Sequence, residues 1–158
     1  MKVRAEAELF RRIPLFAECE WAQLQVMAFS CDREEFAPGG TIVKQGHAGD
    51  AAYLILKGTA EVVVSAGGKT RPVAAVEPGA FIGELAMIAG LPYSITAVAV
   101  SAVSAARVSR TLFMRVAEEF PDFGVKVFAA LSRKLEGSIN DFAAVQRNFD
   151  EARPFSRR

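Results

Sequence analysis

Apolar positions change their period twice along this chain. From about Ala5 to Ala28 they recur at helical spacing. Leu9, Phe10 and Ile13 share one face until Pro14 breaks the pattern. A second helix is predicted from about Glu20, with Trp21, Leu24 and Met27 or Ala28 along one side. At Glu35 the character changes to short β-branched runs: Thr41–Val43, Tyr53–Leu56, Glu61–Val64, Val73–Val76, Ala97–Val100 and Val103–Val108. Pro38-Gly39-Gly40, Gly46, Gly49-Asp50, Gly58, Gly67-Gly68 and Pro78-Gly79 punctuate them. Short strands with turn signals about every ten residues predict a sandwich or barrel. Gly67-Gly68 between two runs marks a hairpin.

After Arg110 the period is helical again. Thr111 is the expected cap of a short helix reaching Glu119, and Pro121 opens a long helix to about Phe149. Phe128, Leu131, Leu135, Ser138, Phe142, Val145 and Phe149 follow the alternating three–four spacing of a heptad seam. A seam of this length exceeds what a small β-domain covers, so pairing of two chains is expected along it. Ser138, its polar member, is placed to set register or to face a ligand. The order is therefore helices, all-β core, helices, in one domain over 1–158. The divisions are 1–34 for the N-terminal helices, 35–110 for the β-core, 111–149 for the C-terminal helices and 150–158 for a solvated basic tail with Arg153, Arg157 and Arg158.

Composition narrows the function classes. Apolar residues make up 51% and charged residues 23%, a globular balance. The 19 Lys and Arg against 18 Asp and Glu supply no general attraction to nucleic acid or an anionic membrane. No apolar run approaches the roughly 20 residues of a membrane span, and the charged first dozen residues are no secretory signal. Cytoplasmic residence with Cys19 and Cys31 as reduced thiols follows. The single histidine, His47, reads as a solvated turn residue, and with only two cysteines beside it in the chain no Cys/His zinc site is expected. Gly67-Gly68-Lys69-Thr70 lacks the earlier glycine of a phosphate-binding P-loop; Val63 stands there. No catalytic residue, metal or cofactor is expected, and the chain reads as no enzyme.

The distinctive stretch is Pro78 to Ile88, where an apolar strand ends at Gly83 and a carboxylate and helical turn follow at once. Glycine admits close approach of a ligand to the backbone, and the first amides of a helical turn point outward at an anion. Glu84 is an acceptor for a sugar hydroxyl.

In this order and spacing the chain resembles the cyclic-nucleotide-binding domain family, a double-stranded, jelly-roll-like β-roll with N-terminal helices and a long C-terminal helix. Ile13-Pro14-Leu15-Phe16, Phe36 to Gly46, Gly49-Asp50 with Tyr53-Leu54-Ile55, Gly58 to Val62, and Gly83-Glu84-Leu85-Ala86 carry the resemblance. It implies that Gly83, Glu84, Leu85 and Ala86 hold phosphate and ribose, with Glu84 on the 2′-hydroxyl. The family continues this cassette with Pro-Arg-Ser/Thr-Ala; here Pro92 is followed by Tyr93, Ser94 and Ile95. Tyr93 replaces the arginine that pairs with the cyclic phosphate, and Ile95 replaces a small residue. Arg71 or Arg107 would have to bring the charge from a neighbouring strand. Leu131 to Leu135 falls where related regulators have a dimerising, ligand-capping helix, and Ser138 where a hydroxyl meets the base.

Two readings follow. In the first, this is a regulatory module that senses cAMP, cGMP or a related phosphorylated ligand on the Gly83–Ala86 turn and signals to an effector protein through its C-terminal helix. In the second, it is a degenerate roll that binds no cyclic nucleotide and serves dimerisation or protein interaction. Those regulators continue into a helix-turn-helix; this chain ends at Arg158, so no DNA binding by this chain alone is expected.

Overall fold

A computed structural model describes residues 2–134. Helix α1 (Lys2–Arg11) runs to a 3-10 turn at Pro14–Phe16, and α2 covers Trp21–Ser30. Glu20 sits at the entrance to α2, its amide donating to Gln23 Oε1 at 3.3 Å. Eight strands follow: β1 (Asp32–Phe36), β2 (Thr41–Val43), β3 (Ala51–Lys57), β4 (Ala60–Ala66), β5 (Lys69–Val76), β6 (Phe81–Ile82), β7 (Thr96–Ala99) and β8 (Val103–Ser109). Helix α3 (Glu84–Ala89) interrupts them between β6 and β7; α4 (Arg110–Glu119) and α5, over 121–134, close the described part.

The strands form two four-stranded antiparallel sheets, ordered β1-β8-β3-β6 and β2-β7-β4-β5. This is the expected β-roll with flanking helices. Gly67 and Gly68 form the predicted hairpin, both at positive φ (59° and 76°), which suits the twist of β4 and β5. The roll begins three residues earlier than expected, because β1 pairs with β8 from Asp32↔Arg107 to Phe36↔Val103. The cap of α4 is Ser109 rather than Thr111: its hydroxyl accepts from the Leu112 amide at 3.0 Å. Of the proposed seam, Leu135, Ser138, Phe142, Val145 and Phe149 lie outside the described residues, as does the basic tail.

The first sheet is covered on both faces. Towards the roll interior, Tyr53, Ile55, Ile82, Val103 and Ala105 pack with Ile42, Ala60 and Ala97 of the second sheet. On the outer face, Leu54, Ala106 and Val108 meet the helices through fully buried Phe10, Phe16, Phe113 and Phe123. Phe16 stacks on Phe123 with centroids 6.1 Å apart, and Phe81 meets Phe16 edge-on at 5.5 Å. The second sheet ends in β5, an edge strand exposed from Lys69 to Ala75, with Pro72 opposite Val63 beside a bulge.

Candidate functional site

Gly83 turns the chain from β6 into α3 at φ 83°, a left-handed conformation that favours glycine. Space reinforces this: a Cβ there would lie 2.8 Å from Cε1 of Tyr93. The turn is seated from behind by Gly49, where a Cβ would lie 2.4 Å from that of Ala86. The Met87 amide donates to Gly83 O at 3.0 Å and closes the first helical turn. At the other end of α3, the Arg110 guanidinium donates to Met87 O at 2.6 Å and Ile88 O at 2.7 Å. A cation there completes carbonyls that a helix end leaves without partners.

Glu84 follows the turn with its side chain only 13% exposed, and its carboxylate accepts from the ammonium of Lys134 on α5. The cassette is thereby joined to the last helix of the described chain. Leu85 faces solvent, whereas Ala86 is buried in the roll.

Tyr93 is buried, and its ring stands against Gly83. Its hydroxyl donates to Ala51 O at 2.5 Å and accepts from Ala51 N at 3.3 Å. Burial pushes this phenol up, opposed by the bond to Ala51. Ser94 is exposed, and Ile95 lies half-buried against the inner core. Neither arginine considered as a substitute stands free beside the turn. Arg71 lies on exposed β5. Arg107 is 3.7 Å from Glu34 and 3.9 Å from Asp32. It shares with Tyr93 and Lys44 a cavity of about 560 Å³ at the mouth of the roll.

The fold thus brings Gly83, Glu84, Ala86, Tyr93 and Ile95 together and leaves Leu85 and Ser94 at the surface; Ser138 lies outside the described residues. Sequence reasoning missed three partners: Ala51 of Tyr93, Lys134 of Glu84, and the Arg110 clamp. Lys134 lay within the segment resembling the ligand-capping helix, a signal that was available. Arg110 and Ala51 had none, because each acts on or through backbone atoms.

The family profile of the cyclic nucleotide-binding domain matches residues 33–120. A cGMP-dependent protein kinase of Plasmodium berghei is 34% identical over 91 residues, covering 58% of this chain and 10% of the kinase. The N-terminal domain of a transcriptional regulator from Streptomyces coelicolor superposes with a TM-score of 0.75 at 24% identity, over 82% of this chain and 94% of that one. The regulatory domain of Toxoplasma gondii PKA with cAMP gives 0.72 at 22% identity, over 86% and 50%. The last two likenesses concern the fold; the chain spans about a tenth of the kinase's length. With the profile covering more than half the chain, and the roll, the Gly83 turn and Glu84 in place, this chain belongs to the cyclic nucleotide-binding domain family.

Proposed function

We propose that this domain is a non-enzymatic regulatory sensor. A cyclic nucleotide, cAMP or cGMP, or a related phosphorylated ligand docks on the Gly83–Ala86 turn, and the C-terminal helix passes the event to a partner protein. The observation that carries this reading is the contact between Glu84 and Lys134. A ribose hydroxyl on Glu84 competes with Lys134 for the same carboxylate, so docking changes what holds α5. Lys134 is 60% exposed, and an ion pair of that kind is worth about 0–1 kcal/mol. A weak tether suits a switch, since a ligand shifts an equilibrium only by its difference in affinity for the two states.

Tyr93 sets the affinity. A tyrosine offers no bidentate, charged contact to phosphate. Losing such a partner costs about 2–5 kcal/mol, a factor of roughly 30 to several thousand. Calorimetry with cAMP and cGMP tests the reading on the wild type and on Tyr93→Arg with Ile95→Ala. Weak heat from the wild type and at least 30-fold tighter binding by the variant are expected. Silence from both up to millimolar ligand rejects cyclic-mononucleotide sensing.

The second reading, a roll devoted to dimerisation or protein interaction, is favoured by the Tyr93 hydroxyl, which is engaged with Ala51 as donor and acceptor. Of the proposed pairing seam, Phe128 on α5 is 44% exposed, whereas Leu131 is buried in the domain's own core. Dimers in sedimentation alongside silent calorimetry would support it.

A further inference from the structure

We infer a second ligand site on the helical side of the cassette, for a small organic anion with a flat apolar body. A cavity of about 690 Å³ lies where the end of α1, the 3-10 turn, the Gly79–Phe81 bend and α5 meet. Such a volume falls in the range of small-molecule pockets, about 300–1,000 Å³. Its walls are apolar, with Leu15 from the 3-10 turn, Phe81 from β6 and Ala130 from α5. Phe81 is only partly buried, although Phe10 and Phe16 hold it edge-on at 6.0 and 5.5 Å, so it offers a fixed flat surface. On the remaining side, a Cβ added at Gly79 would meet nothing within 4 Å, so the bend leaves room.

The polar lining is unbalanced in sign. Arg12, Arg133 and Lys134 face one carboxylate, Glu84. Arg133 also leans on Glu18 at 3.4 Å, but both side chains are more than 60% exposed, and such pairs exchange readily for a better acceptor. Arg12 has no carboxylate at ion-pair distance among the described residues. Two guanidiniums and an ammonium around an apolar chamber suit a phosphate, sulfonate or carboxylate carried on a ring. The site shares Glu84 and Lys134 with the proposed cyclic-nucleotide site, but it needs neither the roll interior nor the amides of the Gly83 turn.

The test uses the full chain labelled with nitrogen-15 and titrated with 1-anilinonaphthalene-8-sulfonate. Amide shifts and dye fluorescence are read together, with uncharged N-phenyl-1-naphthylamine as the twin probe. Expected are saturable shifts centred on 12–15, 79–84 and 130–134 and at least tenfold weaker binding by Arg12→Gln with Arg133→Gln. These two side chains are exposed, so the fold is retained, and a melting curve checks it. Ala130→Leu, which fills the chamber without changing its charge, should abolish the shifts. Tyr93→Arg should leave dye binding unchanged while altering that of cyclic nucleotide, which separates this site from the roll. Equal affinity for the uncharged twin, shifts confined to 114–128, or indifference to the arginine changes would overturn the inference.

Discussion

Where the family's cassette carries arginine, Tyr93 directs its hydroxyl to the backbone of Ala51 and its ring to Gly83. The substitution was legible in the sequence; the direction of the side chain was not, because its partner is a main-chain group 42 residues away. Glu84 was placed correctly on the turn, but its carboxylate meets Lys134, a contact that depends on where α5 docks. Titration behaviour also belongs to this scale. Burial pushes the thiols of Cys19 and Cys31 from 9.0 up to about 11. As pH rises past 9, the unfolded chain releases protons that the folded chain keeps, so stability is full below that pH and falls towards 11. Tyr93 and Tyr53, also raised by burial, act in the same direction. Urea midpoints should therefore hold from pH 7 to about 8.5 and drop above it, and Cys19→Ala with Cys31→Ala should reduce the slope.

Among the elements, α3 depends most on what surrounds it. Six residues make a poor helix alone, and this one is held by the Gly83 turn and by Arg110 at its far end. Arg110→Gln removes two charge-assisted bonds, each worth about 1.5–3 kcal/mol. The expected result is faster amide exchange at 87–91 and a loss of at least about 1.5 kcal/mol in a denaturant titration, with the roll strands still protected. Element boundaries were legible where periodicity was clean, as at Pro121. They failed at β1, whose sequence Asp-Arg-Glu-Glu-Phe is charged because it lies at a sheet edge. They failed again at α4, where two hydroxyl-bearing positions on either side of Arg110 competed and β8 delivered Ser109 to the cap.

For the whole molecule, the order of helices, roll and helices was written in the change of period. Less legible was that the N- and C-terminal helices close into one aromatic cluster on the same sheet. That union is a matter of distant pairs: Phe16 stacks on Phe123, and the Gln23 amide reaches the Asp122 carboxylate at 3.0 Å. Phe123→Ala should cost about 3–5 kcal/mol in urea unfolding, as expected for a fully buried phenylalanine. Exchange protection should fall together in 2–30 and in 110–134. The outer strand β5 has a consequence of another kind. An unpaired strand edge with Val73, Ala74 and Ala75 in the open is a template on which further chains add. Pro72 offers no amide to such an addition, the bulge opposite it bends the ribbon, and Lys69 and Arg71 repel an identical neighbour. This hairpin thus carries its own guard against edge-to-edge addition, apart from anything the roll binds.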